Sequence, residues 1–235
     1  ESTADVENGV FNGIVTVSEE STLSGSALNA NVTISGVKLT LKNLVSMNAS
    51  SSFTGSGYLE FANGSSLTGG NLDLVHTNEE ILVPANATVT LAGVTLATDT
   101  ALSVTDASVV VIETSLTIVS GSTLTVNHAS ASSIQGSAAD TPITGDSADA
   151  PFSVIAADGV GDSLTITNIK FGENATLDLN ATKVVSSTFE SAYTFDASAD
   201  GQYVDVVFNA PVTISSARGT DSNNDGFTFN STLRL

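Results

Sequence analysis

Apolar and polar residues alternate with a period of two along most of this 235-residue chain. Val, Ile, Leu and Thr dominate the alternating runs, and Gly, Asn or Ser interrupts each run after a few residues. This period is typical of half-buried β-strands, whose successive side chains point to opposite faces of a sheet. Representative stretches are GIVTVS (13–18), NVTISGVKLTL (31–41), ATVTLAGVTLA (87–97), SLTIVSGSTLTV (115–126), DSLTITNIKF (162–171) and ATLDLNATKVV (175–185).

The longest apolar run, DASVVVIETSLTIV (106–119), is rich in β-branched residues, which favour strands over helices. No stretch carries the 3.6-residue period of an amphipathic helix over three turns. The sequence therefore predicts an all-β protein built from many short strands.

A loose motif recurs along the chain: a small polar residue, Thr or Ser, an aliphatic residue, one further residue, and then an aliphatic residue or Gly. It occurs as VTISG (32–36), TVTLAG (88–93) and ATLDLN (175–180), among others. The spacing is irregular, which excludes a fixed-period array and indicates coils of roughly 20 residues with Asn, Ser and Gly at their corners.

In this texture of short alternating runs and polar corners, residues 10–190 resemble the pectin-lyase-like parallel β-helix proteins. The resemblance implies a right-handed parallel β-helix, or solenoid, an architecture shared by many secreted and surface-displayed prokaryotic proteins. A β-sandwich or jelly roll with several hairpins would show the same alternation and is the alternative fold.

Residues 138–162 interrupt the pattern with five Asp and two Pro residues, which predicts a loop or a domain junction. This stretch divides the chain into a solenoid-like region, 1–137, and a C-terminal β region, 163–235. The second region contains the longer runs QYVDVVFNAPVTISSA (202–217) and GFTFNSTLRL (226–235). Their length predicts an antiparallel sheet in place of short solenoid strands.

The chain has 25 acidic and only six basic residues, and its formal net charge is −19. Nucleic acids and anionic membranes require Lys and Arg to neutralise phosphates, so neither is an expected partner. Cations are the natural partners of such a surface. No run of about 18 apolar residues is present, so we expect no membrane-spanning helix.

The chain contains no Cys, which excludes disulfides and thiolate chemistry. It begins at Glu1 without Met or an apolar signal region, which fits a mature secreted chain. We expect an extracellular or cell-surface protein, of prokaryotic more than eukaryotic origin.

Two hexads, DSNNDG (221–226) and DASADG (196–201), place oxygen-bearing side chains at alternate positions before Gly, as the opening of a calcium loop does. The candidate Ca²⁺ ligands are Asp221, Asn223 and Asp225 in one loop, and Asp196, Ser198, Asp200 and Asp205 in the other. Neither loop is an EF-hand, because position 12 holds Thr232 or Val207 where a bidentate Glu belongs. We expect calcium-stapled loops between strands, with simple Asp-Gly turns as the alternative.

No catalytic residue stands out. His76 and His128 are the only histidines and have no His or Cys at metal-ligand spacing, and no Gly-x-Ser-x-Gly elbow is present. A polysaccharide-cleaving enzyme would need a marked carboxylate pair, and Trp, a common sugar platform, is absent.

The expected function is therefore a non-catalytic extracellular structural protein, a subunit of a cell-surface filament, tubule, layer or adhesin stalk. Self-association would use β-strands, including the N-terminal one, where Phe11, Val15 and Val17 share a face. The alternative is a polysaccharide-degrading enzyme or carbohydrate-binding module on the same scaffold.

Overall fold

The computed structural model describes residues 4–75, 80–147, 149–157, 164–179, 182–196, 202–215 and 228–229. Within these ranges every regular element is a β-strand, and the thirty strands are numbered β1 to β30 in chain order. All pairings between the described strands are parallel. The predicted all-β class is confirmed.

The strands form three ladders, and the chain visits ladders 1, 2 and 3 in that order in each turn. Ladder 1 is a nine-stranded sheet. Its strands are β1 (Ala4–Glu7), β4 (Ser21–Ser24), β7 (Lys38–Lys42), β10 (Tyr58–Phe61), β13 (Ile81–Val83), β15 (Thr100–Val104), β17 (Thr123–His128), β20 (Phe152–Ala156) and β23 (Ala175–Asp178).

Ladders 2 and 3 share two long strands, β14 and β16, and together make a 19-stranded sheet. Ladder 2 contains β2 (Val10–Phe11), β5 (Ala27–Leu28), β8 (Leu44–Met47), β11 (Ser66–Thr68), β14 (Thr88–Leu96), β16 (Val109–Ile118), β18 (Ser133–Gly136), β21 (Thr165–Thr167), β24 (Lys183–Val185), β27 (Gln202–Val204) and β30 (Thr228–Phe229). Ladder 3 contains β3 (Val15–Val17), β6 (Val32–Ile34), β9 (Ser52–Gly55), β12 (Asn71–Leu74), the second halves of β14 and β16, β19 (Thr141–Gly145), β22 (Ile169–Phe171), β25 (Thr188–Phe189) and β28 (Val207–Phe208). The remaining strands, β26 (Tyr193–Asp196) and β29 (Val212–Ser215), pair with each other.

This arrangement is a parallel β-solenoid of about nine turns, which confirms the predicted parallel β-helix. The alternative folds are wrong, because sandwiches and jelly rolls are built from antiparallel strands. The turns are unequal in length, as the irregular motif spacing indicated. Ala4 pairs with Ser21, 17 residues on, whereas Thr123 pairs with Ser153, 30 residues on.

Alternate residues of every ladder point inward and stack on their counterparts in the next turn. In ladder 1, Leu23 lies beside Leu41 and Leu41 beside Phe61, and all three are buried. Fully burying such a side chain contributes about 1.5–3 kcal/mol. The period-two pattern of the sequence is therefore the pattern of one continuous core.

The interior changes from aliphatic to aromatic near the C-terminal end. Phe189 contacts Phe171, Tyr193 and Phe208, with ring centroids 4.9–5.1 Å apart. The hydroxyls of Tyr193 and Tyr203 are hydrogen-bonded at 2.8 Å inside this cluster. Burial raises the pKa of both tyrosines, so both stay neutral.

The predicted antiparallel C-terminal region is wrong for the described strands. The stretch that reads as one long run from residue 202 bends at Asp205, where φ is 53°, and becomes β27 in ladder 2 and β28 in ladder 3. Both strands pair in parallel with the preceding turn. Because each corner passes the chain to the next ladder, no hairpin forms there.

The Asp- and Pro-rich stretch 138–162, predicted as a loop or junction, contains the two strands β19 and β20. β19 pairs with β16 and β22, and β20 pairs with β17 and β23, so the ladders continue through it. Pro142 is tolerated in β19 because its nitrogen, which carries no hydrogen, faces β16. The pairing of β19 with β16 begins only at the next residue, Ile143.

The corners depend on residues with left-handed backbone. Between ladders 1 and 2 such a residue recurs in successive turns: Asn8, Gly25, Asn43, Gly64, Asn86, Ala107 and Ala131. A second series lies between ladders 2 and 3: Gly93, Thr114, Asp140, Asn168, Ser186 and Asp205. One left-handed residue bends the chain sharply, and Gly and Asn adopt that conformation most easily.

Replacing Ala107 with Gly should stabilise the protein by about 0.5–1 kcal/mol. Left-handed backbone costs a non-glycine residue about 1–2 kcal/mol, which exceeds the entropy that Gly loses on folding. The control is Ala101→Gly in β15, where φ is not positive and a loss of about 0.5–1 kcal/mol is expected. Urea unfolding measures both, and equal destabilisation would contradict strain at the corner.

Candidate functional site

Most of the predicted calcium ligands lie outside the described residues: Asp221, Asn223, Asp225, Ser198 and Asp200. Asp196 is the last residue of β26. Within the described ranges, no group of three or more His, Cys, Asp or Glu side chains could hold a metal ion. Calcium binding therefore stays a prediction from sequence.

The structure places Asp205 at an exposed corner and gives it a backbone role. It has φ of 53° and occupies the same corner position as Ser186 one turn earlier. The Ser186 N–H donates a 2.9 Å hydrogen bond to the carbonyl of Val204, the residue before Asp205. Asp tolerates left-handed backbone better than most residues, so the corner explains its presence without a metal.

His128 ends β17, and His76 lies outside the described residues.

A polar cluster links three successive turns along ladder 3. The Lys170 Nζ lies 2.8 Å from Glu190 Oε1, and the Asn209 Nδ2 donates to the same oxygen at 3.1 Å. The hydrogen bond from Lys170, followed by that from Asn209, holds the pKa of Glu190 below its usual 4.5. The same bond raises the pKa of Lys170 above 10.5. Through these two contacts the cluster joins side chains of three neighbouring turns.

A cleft of about 730 Å³ opens beside this cluster, between β23 and β26. Its walls include Ala175, Thr176 and Leu177 of β23 and Thr194 of β26. The rim and floor are polar and comprise Glu173, Asn174, Glu190 and Ser191.

The cleft exists because ladder 1 stops at β23. The chain returns at β26 to the place where the next ladder-1 strand belongs, but β26 pairs only with β29 in the described structure. Most Cα atoms of β23 lie more than 8 Å from those of β26. Ladders 2 and 3 continue unbroken through the same turns, so the opening is confined to one side.

The second notable surface is the N-terminal end of the solenoid. Residues that face the interior elsewhere line an open pocket of about 230 Å³ here, among them Val6, Phe11 and Val15. Val10 and Ile14 beside it are 65% and 80% exposed. In the described residues the outer edges of β1, β2 and β3 have no partner strand.

No family model, curated protein or solved structure matches the chain. None of the described residues forms a helix that is long and apolar enough to cross a membrane. Functional inference therefore starts from the two surfaces and from the sequence.

Replacing Glu190 with Gln should lower the melting temperature near neutral pH and have little effect at the acid limit. Because the folded pKa of Glu190 is lowered, its stabilising effect is present above pH 4.5 and is lost as the pH falls through the folded value. Because the pKa of Lys170 is raised, its effect is present below pH 10.5 and is lost as the pH rises through the folded value.

The matched control is Glu20→Gln. Glu20 is 4.0 Å from Lys38 with its side chain 62% exposed, so this change should leave the melting curve almost unaltered. Melting curves of the three proteins from pH 3 to pH 11 test the pair. A difference for Glu190→Gln that persists unchanged at the acid limit would contradict an ionic contribution.

Proposed function

We propose that the chain is a non-catalytic structural protein of an extracellular or cell-surface assembly, whose copies associate through the N-terminal turn. The observation that carries this proposal is the N-terminal end itself, where the outer edges of β1, β2 and β3 have no partner among the described strands and adjoin an open, largely apolar pocket. Unpaired edges are templates for pairing with another chain.

The backbone directions show which groups are available at that end. The Val15 N–H donates to Asn31 O at 3.1 Å, and Val17 O accepts from Ser35 N–H at 2.8 Å. The residue between them, Thr16, therefore turns its N–H and C=O away from the body of the protein. The backbone N–H and C=O of Asp5 in β1 point away from the body in the same way. Asn8 N–H donates inward to Ser24 O, and backbone direction alternates along the strand, so the groups of Asp5 face outward.

Apolar surface adds to the edges. The side chains of Val10 and Ile14 are exposed, and Phe11 and Val15, the next residue after each, line the open pocket. Removing such apolar surface from water favours association, at about 25 cal/mol per Å². Hydrogen bonds along the edges would then fix the register of the neighbouring copy.

Composition supports the setting of the proposal. The chain lacks Cys, carries few charged residues and has a net charge of −19, which favours cations over phosphates as partners. A polysaccharide-directed activity is the rival function. Release of reducing ends from a polysaccharide panel by the purified chain would favour it over a structural role.

Calcium should raise the melting temperature relative to EDTA, because an ion that binds only the native state stabilises it. The expected gain is about 2.7 kcal/mol at one hundred times the dissociation constant. The double change Asp221→Ala with Asp225→Ala should abolish most of the shift.

Asp205→Asn is the informative companion, because Asn preserves the left-handed corner but removes one ligand charge. A reduced calcium shift in this variant would assign Asp205 to a site, and an unchanged shift would leave it with its backbone role. A wild-type melting curve indifferent to Ca²⁺ and EDTA would reject the calcium prediction altogether.

Replacing Thr16 with Pro should disrupt assembly without unfolding the chain. Proline removes the outward N–H of β3, while the bonds of Val15 and Val17 to the next turn remain. Thr16→Val keeps the N–H and serves as the matched control. Light scattering and electron microscopy should show oligomers or filaments for the wild type and Thr16→Val, and their loss for Thr16→Pro. A wild type that is monomeric at all concentrations would refute the proposal.

A further inference from the structure

The cleft between β23 and β26 separates two strands that lie too far apart to pair directly, which leaves room for a further strand. Paired strands lie about 4.8 Å apart, so two strands that flank a third are separated by roughly 9.6 Å. β23 and β26 have most of their Cα atoms more than 8 Å apart, although ladders 2 and 3 keep the two turns directly paired. This space between Ala175–Asp178 and Tyr193–Asp196 forms an inter-strand slot.

The β26 wall of the slot presents backbone groups. Tyr193 N–H donates to Pro211 O at 3.1 Å, on the side of β29. Successive residues of a strand direct their backbone groups to opposite sides, so Thr194 directs its N–H and C=O into the slot. Thr194 is exposed, and the described structure provides no partner for these groups.

The β23 wall presents a matching set. Ser153 and Ala157 donate to the turn before them, to Ser122 O and Val126 O, so Val154 of β20 faces β23. Val154 is level with Leu177. In a parallel ladder this arrangement leaves the Leu177 backbone groups pointing away from β20, into the slot.

Charge at the rim indicates what the slot would accept. Glu173 and Glu190 stand at its rim, and Glu190 is already paired with Lys170. Glu173 has no ion-pair partner among the described residues. Ser191, only 7% exposed, lines the slot, and its Oγ is buried without a hydrogen-bond partner. An incoming chain could supply a cation for Glu173.

We infer that the inter-strand slot receives one extended peptide segment of a partner protein, with a basic side chain beside Glu173. The inserted strand hydrogen-bonds to Leu177 on one side and Thr194 on the other and completes ladder 1. A second copy of this chain fits less well, because its 25 acidic residues against six basic ones would bring negative charge to a negative rim. The inference is independent of association at the N-terminal end.

The test uses the full chain and a fluorescent octapeptide of alternating Thr and Val that ends in Lys. Fluorescence anisotropy should show saturable binding. A peptide with Pro at alternate positions should not bind, because it cannot pair on both edges. A peptide that ends in Glu should bind on the order of two- to fivefold more weakly, as expected for loss of one exposed ion pair.

Substitutions at two positions, Thr194 and Glu173, separate edge pairing from charge. Thr194→Pro should weaken binding roughly five- to tenfold by removing an N–H from the slot, whereas Thr194→Val, which keeps it, should bind like the wild type. Glu173→Gln should abolish the preference for Lys over Glu. Neither Thr194 nor Glu173 contributes a described hydrogen bond to the fold. The variants at both positions should therefore retain the wild-type melting temperature.

Hydrogen exchange of the same sample decides who occupies the slot. The amides of Leu177 and Thr194 should exchange quickly in the free protein and become protected when the Lys peptide is added. Protection of these amides in the free protein would mean that a segment of the chain itself fills the slot, and would overturn the inference. Equal binding of all three peptides, or equal binding by Thr194→Pro and Thr194→Val, would also overturn it.

Discussion

Every turn of this chain must end one strand spacing, about 4.8 Å, beyond the point where it began. If a turn ended elsewhere, the three parallel ladders could not all be hydrogen-bonded. The constraint falls on the corners, because the strands are only two to ten residues long, and the two longest, β14 and β16, themselves contain a corner at Gly93 and Thr114. The left-handed residues at Asn43, Asn86 and Asn168 are the solution repeated along the molecule, and the inward stacking of Leu and Val follows from it.

Closure of three ladders also sets what the interior holds. A narrow interior accepts apolar side chains that stack on one another in successive turns, as Leu23, Leu41 and Phe61 do. Near the C-terminal end it accommodates five aromatic rings and a hydrogen-bonded pair of tyrosines. Ladder 1 is interrupted at the turn that contains Tyr193, one of those rings. The change to aromatic packing and the interruption of ladder 1 therefore occur at the same level of the solenoid.

The period-two pattern was enough to predict the strands, because strand formation and burial are local properties of sequence. It did not by itself separate a solenoid from a sandwich: that choice came from the resemblance to pectin-lyase-like β-helices, and the uneven turns came from the irregular spacing of the polar corners. Direction of pairing is not local: residues 202–208 read as one run, and only the bend at Asp205 separates them into two ladders. Pro142 led to the prediction of a loop for a similar reason. Whether a strand tolerates Pro depends on which neighbouring strand the missing N–H faces, and the sequence does not show that. Corners at Ala107, Thr114 and Ala131 carry no Gly or Asn signal at all.

The two candidate surfaces illustrate the same limit. The N-terminal edge could be anticipated only in part: Phe11 and Val15 were expected on one face of a single strand, but they lie in β2 and β3, on either side of a corner. The slot could not, because Leu177 and Thr194 look like ordinary strand residues until their neighbours are known. Five of the seven predicted calcium ligands fall outside the described residues, while Asp205 is explained by its corner.

In a solenoid each turn touches only its neighbours, so cohesion is the sum of the interfaces between turns. Between the turns of β23 and β26 that interface has two hydrogen-bonded ladders where earlier interfaces have three. The molecule is therefore mechanically uneven along its length. Under a force applied to its two ends, the turns would separate first at this junction. The C-terminal turns would detach there as a unit, while the turns before them kept their hydrogen-bonded ladders.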